Sequence, residues 1–145
     1  MDVACDMISL NQMLKKPLFL EMFVLLMIVG VLNYIATIYH LYWFIYEFDS
    51  LVHFLAGASV SFFFLWFYFY SGFFNPQKRN LINFFIVAAV GAMFVAISWE
   101  IYELLLGEAI IGGSEYSYDT MMDLLMDFLG AVAACFYGYL KQHEP

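Results

Sequence analysis

The chain has 145 residues, of which 65% are hydrophobic and 21% aromatic, and its formal net charge is −8 at pH 7. This apolar share is far above that of soluble domains, so the composition excludes an ordinary soluble protein. With only five Lys and Arg residues, the chain offers no basic patch for nucleic acid, and its length predicts one domain.

Four apolar stretches follow one another along the chain, at about 18–40, 50–74, 81–106 and 120–140. Each is close to the roughly 20 residues that an α-helix needs to cross the hydrocarbon core. The sequence therefore predicts an all-α polytopic membrane protein: four transmembrane helices in a bundle, forming a single domain over 1–145.

The basic residues predict the orientation of these spans. They precede span one, lie between spans two and three, and follow span four: Lys15, Lys16, Lys78, Arg79 and Lys141. By the positive-inside rule, both termini and the turn near residue 76 face the cytoplasm. The other two loops carry acids and should face outward: Glu47, Asp49, Glu108 and Glu115.

Span one carries a polar stripe at i, i+4 and i+7, formed by Asn33, Thr37 and His40. These positions share one helix face and rise toward the outer end of the span. We expect them to form a supporting shell, although an interfacial position is the other interpretation of His40.

Span two runs inward from Asp49, which places His53 about 6 Å deeper on the same face. Gly57 and Ser61 continue that face with small side chains. Small residues allow helices to approach closely in lipid, so this charged face is also predicted to be a packing face.

Span three brings Glu100 and Glu103 to its outer end, three residues apart on one face. The positions below Glu100 at intervals of four are all alanine: Ala96, Ala92 and Ala88. This pattern again predicts a close helix contact on the face that carries the acid.

Span four runs inward through Asp119, Asp123 and Asp127, which form one stripe at intervals of four. Small residues follow on the same part of the helix: Gly130, Ala131, Ala134 and Gly138. Three helices are therefore predicted to bring carboxylates to one level in the outer third of the membrane.

Several carboxylates held close together need protons or a cation to neutralise them. Carboxylates with a histidine are ordinary ligands for a divalent ion, so we expect a site for Zn, Mn or Fe, and a two-metal site is also possible. Its predicted ligands are His53, Glu100, Asp123, Asp49, Glu103 and Asp119, with Asp127, Asn33, Thr37 and His40 behind them.

Other interpretations of these residues stay open at this point. Asp49 and Asp119 could be helix N-caps, a role that Asp favours. Glu103 could reach headgroup water, and the deeper group of His53, Glu100 and Asp123 could be a hydrogen-bonded network that fixes helix register.

The assembled pattern resembles a known family. Asp49-x3-His53-Phe54 opens one span, Trp99-Glu100-Ile101-Tyr102-Glu103 ends the next, and Asp119-Thr120-x2-Asp123 leads to Gly130-Ala131 on the last. These residues are similar to the YjdF-like family of small bacterial and archaeal inner-membrane proteins, and more distantly to the VanZ-like family. The resemblance implies a multi-pass protein of a prokaryotic inner membrane, without an established reaction.

Three functions remain in competition. The first is a metal-binding membrane protein whose role is structure, sensing or ion handling. The second is a metal-dependent enzyme that acts on a membrane lipid or lipid-linked substrate, with Glu100 or Glu103 as general base. The third is proton or cation transport, and small-residue faces would also allow a homo-oligomer.

Overall fold

The computed structural model describes residues 17–45, 47–74, 76, 78–106 and 116–142. The described chain contains five α-helices and no strand: α1 Phe19–Tyr39, α2 Leu41–Phe44, α3 Phe48–Phe69, α4 Leu81–Leu106 and α5 Tyr116–Lys141. The four long helices are long and apolar enough to span a membrane. The predicted fold class, an all-α four-helix membrane bundle, is confirmed.

Two helix boundaries differ from the predicted spans. The second span was predicted to run to 74, but α3 ends at Phe69, and Gly72 then adopts a left-handed φ of 90°. The Arg79 guanidinium donates a hydrogen bond to the Phe69 carbonyl at 2.8 Å, which satisfies an acceptor at the helix end. At the other end of the bundle, α5 begins at Tyr116, one turn before the predicted start at 120.

The orientation in the membrane stays a prediction. Lys15 and Lys16, on which it partly depends, lie outside the described residues, as do Glu108 and Glu115 of the second predicted outer loop. We therefore name the two ends of the bundle by their contents. The site end holds the N-termini of α3 and α5, and the opposite end holds their C-termini.

Helix α3 is the centre of the bundle. It packs against α1, α4 and α5, and α4 and α5 also pack against each other. In contrast, Ala36 is the one buried residue within α1, which contacts the bundle mainly through α3. The compact part of the protein is thus a trio of helices with α1 along one side.

The predicted packing faces are the observed ones. On α4, Ala88, Ala92, Ala96 and Glu100 are all buried. Between α3 and α5, a Cβ atom on Gly130 would lie under 3.0 Å from the backbone nitrogen of Ala58, and would press on the Phe54 carbonyl. The close approach of α3 and α5 therefore depends on the missing side chain of Gly130.

A core of mainly apolar side chains fills the opposite end of the bundle. The rings of Phe69 and Phe84 stack with centroids 4.2 Å apart, next to the fully buried Leu65. There the Lys141 ammonium forms an ion pair with Glu21, which ties α5 to α1. This packing fills the opposite end with apolar side chains and leaves the buried carboxylates of Glu100, Asp123 and Asp127 to the site end.

Candidate metal centre

The His53 imidazole lies between α3 and α5 at the site end. Its Nδ1 is 3.0 Å from Asp127 Oδ2, across 74 residues of sequence. An ionised carboxylate only accepts hydrogen bonds, so with Asp127 ionised the Nδ1–H group is the donor of this bond. A neutral ring in this tautomer has its free lone pair on Nε2.

Two further carboxylates lie in front of Nε2. The distance from Nε2 to Asp49 Oδ1 is 3.7 Å and that to Asp123 Oδ1 is 3.8 Å. One ligand atom from each of Asp49, His53 and Asp123 can be chosen so that all lie within 4.8 Å of one another. We call these three residues the triad.

The spacing of the triad suits a single ion. Ligand atoms bound at about 2 Å to one Zn²⁺ lie roughly 3 to 4 Å from each other. The observed distances from Nε2 fall in that interval, so an ion between the three side chains would require little rearrangement. In addition, metal-bound histidines usually donate their other ring N–H to a carboxylate, which is the position that Asp127 occupies here.

Burial increases the energetic cost of these charges. Asp123 and Asp127 are 4% and 6% exposed, and the half-buried Asp49 lies at the edge. Among the described residues, the basic side chains are Lys78, Arg79 and Lys141, and all three lie toward the opposite end of the bundle. No described Lys or Arg is therefore close enough to neutralise the triad.

Glu100 is buried but does not join the triad. It is 5% exposed, and the Thr120 hydroxyl lies beside its carboxylate as a hydrogen-bond donor, although the pair does not reach the geometry of a full hydrogen bond. Its electrostatic neighbours are on α3 and α5 and include Thr120, His53, Asp127 and Asp119. The sequence predicted one shared set of ligands, whereas the structure separates Glu100 from the three grouped side chains.

The remaining predicted ligands lie around the entrance. Glu103 accepts a hydrogen bond of 2.8 Å from the Trp99 indole, and Asp119 is exposed. Asp49 and Asp119 are in the first turns of their helices, not at the N-cap positions. The N-cap interpretation of these two aspartates was therefore wrong, because each helix begins earlier than the hydropathy pattern indicated.

The polar stripe of span one is only partly directed toward the site. Asn33 lines the cavity described below and accepts a hydrogen bond from the Tyr42 hydroxyl at 3.2 Å. Thr37 instead donates to the Asn33 backbone carbonyl, and His40 is exposed where α1 ends. Neither Thr37 nor His40 lines the cavity.

A cavity of about 1240 Å³ opens onto the triad. Among the residues that the structure describes, the lining has no Lys or Arg and carries six acids and four large aromatic side chains: Glu47, Asp49, Glu103, Asp119, Asp123, Asp127, Tyr42, Trp43, Trp99 and Tyr118. Glu100 is not part of this lining. The triad and Glu103 are therefore accessible from the cavity, whereas Glu100 does not line it.

Tyr42 and Thr120 are residues whose place near the site sequence reasoning missed. Burial raises the pKa of the Tyr42 phenol above its ordinary value of 10.0, and the Asp49 carboxylate raises it further. Tyr42 therefore stays a neutral donor at the rim. The sequence signal for Thr120 was its position three residues before Asp123, on the same helix face.

Residues 6–144 match the family DUF2238, described as a predicted membrane protein. This match covers nearly the whole chain. The chain belongs to the DUF2238 family. No curated protein and no solved structure matches it. For this DUF2238 protein, the family description and the four apolar helices together support a multi-pass membrane protein without assigning a reaction. The match gives no support to the more distant VanZ-like resemblance.

Proposed function

We propose that this DUF2238 protein binds one divalent metal ion at the triad of Asp49, His53 and Asp123. The observation that carries the proposal is the environment of His53: Nδ1 is held by Asp127 while Nε2 lies 3.7 and 3.8 Å from two carboxylates. A histidine oriented by a carboxylate behind it is the usual arrangement at metal sites.

Charge supports a metal over an empty acidic cluster. Carboxylates in a low-dielectric environment, with no described Lys or Arg nearby, are neutralised by protons or by a cation, and a divalent ion in contact with all three side chains of the triad would neutralise them together. One imidazole nitrogen with several carboxylate oxygens suits Zn, Mn and Fe, and this donor set does not select among them. The biochemical role of the ion depends on which molecules enter the cavity and contact it.

The location of the site follows from two further proposals. The positive-inside rule applied to Lys78, Arg79 and Lys141 assigns the opposite end to the cytoplasm. The resemblance to YjdF-like proteins supports a prokaryotic inner membrane. Together they put the triad in the outer third of that membrane, where it is accessible from outside the cell.

Elemental analysis of the purified protein tests the metal proposal. Protein prepared without chelators should contain metal at a fixed ratio of at least one ion per chain, and Asp123→Asn should remove the triad ion because it removes a ligand charge. The matched control is Glu47→Gln, which changes an exposed acid of the cavity lining outside the triad. Wild-type protein that stays without metal after loading would contradict the proposal.

Asp127 is expected to increase the metal affinity of the site without binding the ion itself. Asp127→Asn keeps an acceptor for the His53 Nδ1 proton but removes the charge that increases the basicity of the ring. Metal affinity should fall by roughly 10- to 100-fold, as is typical for a partner behind a ligand. Competition titration with a fluorescent chelator would measure this change.

Asp119→Asn provides the control on the same helix. Asp119 also lines the cavity, but it is exposed and outside the triad. We expect less than about a tenfold change in affinity, since an exposed charge is well screened by solvent. Equal effects of the two substitutions would show that Asp127 acts only through the general field of the cavity.

The cavity favours a second candidate function, a metal-dependent enzyme that acts on a lipid or lipid-linked substrate. Its volume of about 1240 Å³ exceeds the usual range for small-ligand pockets. Glu103 lines this space and Glu100 does not, so Glu103 is the better candidate for a general base that contacts substrate. Because the described part of the lining has no Lys or Arg, an anionic headgroup would bind there through the metal charge.

A comparison of lipid profiles tests the enzyme. Cells that carry Glu103→Gln should accumulate the substrate seen in a deletion strain, while Glu47→Gln cells should match the wild type. Identical profiles in the deletion and wild-type strains would argue against a lipid substrate and leave metal binding as the function.

A further inference from the structure

The cavity at the triad changes in character along its length. Its acids and aromatic rings surround the triad, whereas its lining farther from the site end is small or apolar: Val29, Ala56, Gly57, Val60, Ala92, Val95 and Ala96. We call the part of the cavity that these seven residues line the groove. The described lining is therefore amphipathic, with a polar region at the triad and an apolar region deeper in the bundle.

The cavity extends about as far into the membrane as one lipid leaflet. Asp49 and Val60 both line it and lie eleven residues apart on α3, as do Glu103 and Ala92 on α4. At 1.5 Å per residue, each pair spans about 16 Å. Half of a hydrocarbon core of roughly 30 Å is about 15 Å. The cavity thus has the length that one hydrocarbon chain covers in one leaflet.

The groove lies between α1 and α4. Helix α3 contacts α1 through Ser59, whose hydroxyl donates to an α1 backbone carbonyl at 3.4 Å, and contacts α4 where Phe64 faces Gly91. At 3.6 residues per turn, Val60 lies on the α3 surface between these two contacts. Within the described residues, α1 and α4 have no pair of Cα atoms within 8 Å, and Val95 is 38% exposed. This side of the groove therefore opens toward the surrounding bilayer.

The chemistry of the groove favours a hydrocarbon occupant. Its described lining offers no polar side chain, and a stable buried water needs roughly two to four polar partners. Because the four long helices form a membrane bundle, the groove lies at hydrocarbon depth, where lipid chains are the surrounding medium. A lipid chain is thus the occupant whose polarity and length both match the groove.

We propose that the groove binds one hydrocarbon chain of a membrane phospholipid, which enters sideways between α1 and α4. The chain would extend toward the centre of the bilayer and leave the headgroup beside the triad, at the polar end of the cavity. The position of the headgroup rests on the proposed function, because the ion would contact it, whereas chain binding depends only on the groove. A lipid substrate would thus reach the site from the bilayer and not from water.

Native mass spectrometry of the purified protein tests this inference. The protein in detergent would be mixed with dioleoyl phosphatidylethanolamine, and the lipid retained on each chain would be counted. We expect one lipid per chain in the wild type and its loss from most chains of Val95→Trp, because the indole would fill the groove. The matched control is Val90→Trp, which adds the same side chain to α4 at a residue that is 66% exposed and outside the cavity lining. This control should retain the lipid.

Metal content measured on the same samples separates this inference from the proposed function. Metal without a retained lipid in the wild type would overturn the groove and leave the triad standing, and a retained lipid without metal would do the reverse. Equal retention by the wild type and folded Val95→Trp would also overturn the groove. A lipid-free dimer would do so as well, since a second copy of the chain would then cover this side of the bundle.

Photolabelling of the wild type decides the matter if Val95→Trp does not fold. After excess lipid has been removed, a phosphatidylethanolamine with a diazirine at the end of one chain should label the deep part of the groove, at Val29 and Val60. The same lipid with its diazirine beside the headgroup should instead label the polar end, near Asp49. Equal labelling of Val90 and the groove by the first lipid would overturn the inference, since Val90 lies outside the cavity lining.

Discussion

His53→Asn is expected to lower the affinity for metal by at least about 100-fold. A direct ligand should contribute more than the roughly 10- to 100-fold that is lost with a partner behind a ligand. Asparagine can still donate a hydrogen bond to Asp127, in place of the 3.0 Å bond from Nδ1. The variant thus removes Nε2 while keeping the link between α3 and α5, and chelator competition measures the loss.

His40→Asn is the matched control for this variant. His40 is exposed, does not line the cavity and has a left-handed φ of 55°, which asparagine tolerates. Its metal affinity should equal that of the wild type. If the two variants bind metal equally well, His53 is not a ligand and its role is to hold the two helices in register.

Gly130→Ala is expected to lower the free energy of unfolding by about 1 to 3 kcal/mol, the usual cost of overpacking. The added methyl group would meet the Phe54 carbonyl and the Ala58 nitrogen, and backbone atoms cannot rotate away. Gly57→Ala should act in the same way against the backbone of Asp127. Because that shift would also displace Asp127 from His53, metal affinity should fall together with stability.

Gly30→Ala serves as the control for the glycine variants. Gly30 lies in α1, and a Cβ atom there would have no neighbour within 4 Å. Its unfolding free energy should stay the same or rise by up to about 1 kcal/mol, since alanine favours helices. Thermal unfolding in the same detergent would compare all the variants. Equal stability of Gly130→Ala and Gly30→Ala would mean that α3 and α5 pack less closely than described.

The sequence was sufficient to predict the fold because each span had a clear chemical signature. Length and hydropathy gave the four helices, and the alanine ladder of α4 identified its buried face correctly. The end of α3 was missed because residues 70–74 remain apolar and aromatic, so hydropathy continues where the helix does not. The capping contact from Arg79 depends on tertiary structure and leaves no periodic signal.

The candidate site was predictable as a region but not in its internal arrangement. Spacing put His53 on the same face as Asp49 and on the same level as Asp123. Spacing alone does not determine how α4 rotates relative to α5, and this rotation directs Glu100 toward Thr120 while Glu103 lines the cavity. Glu100 and Glu103 are therefore alike in sequence but differ in their surroundings, because Glu100 is buried whereas Glu103 lines the cavity.

The division of the triad between α3 and α5 has a consequence for biosynthesis. Asp49 and His53 enter the membrane with the second span, but Asp123 and Asp127 arrive only with the last. Until then the growing chain would have half of the proposed site and would retain an ion poorly. Metal capture would thus occur after the final helix has inserted, and a bound ion would mark chains whose assembly is complete.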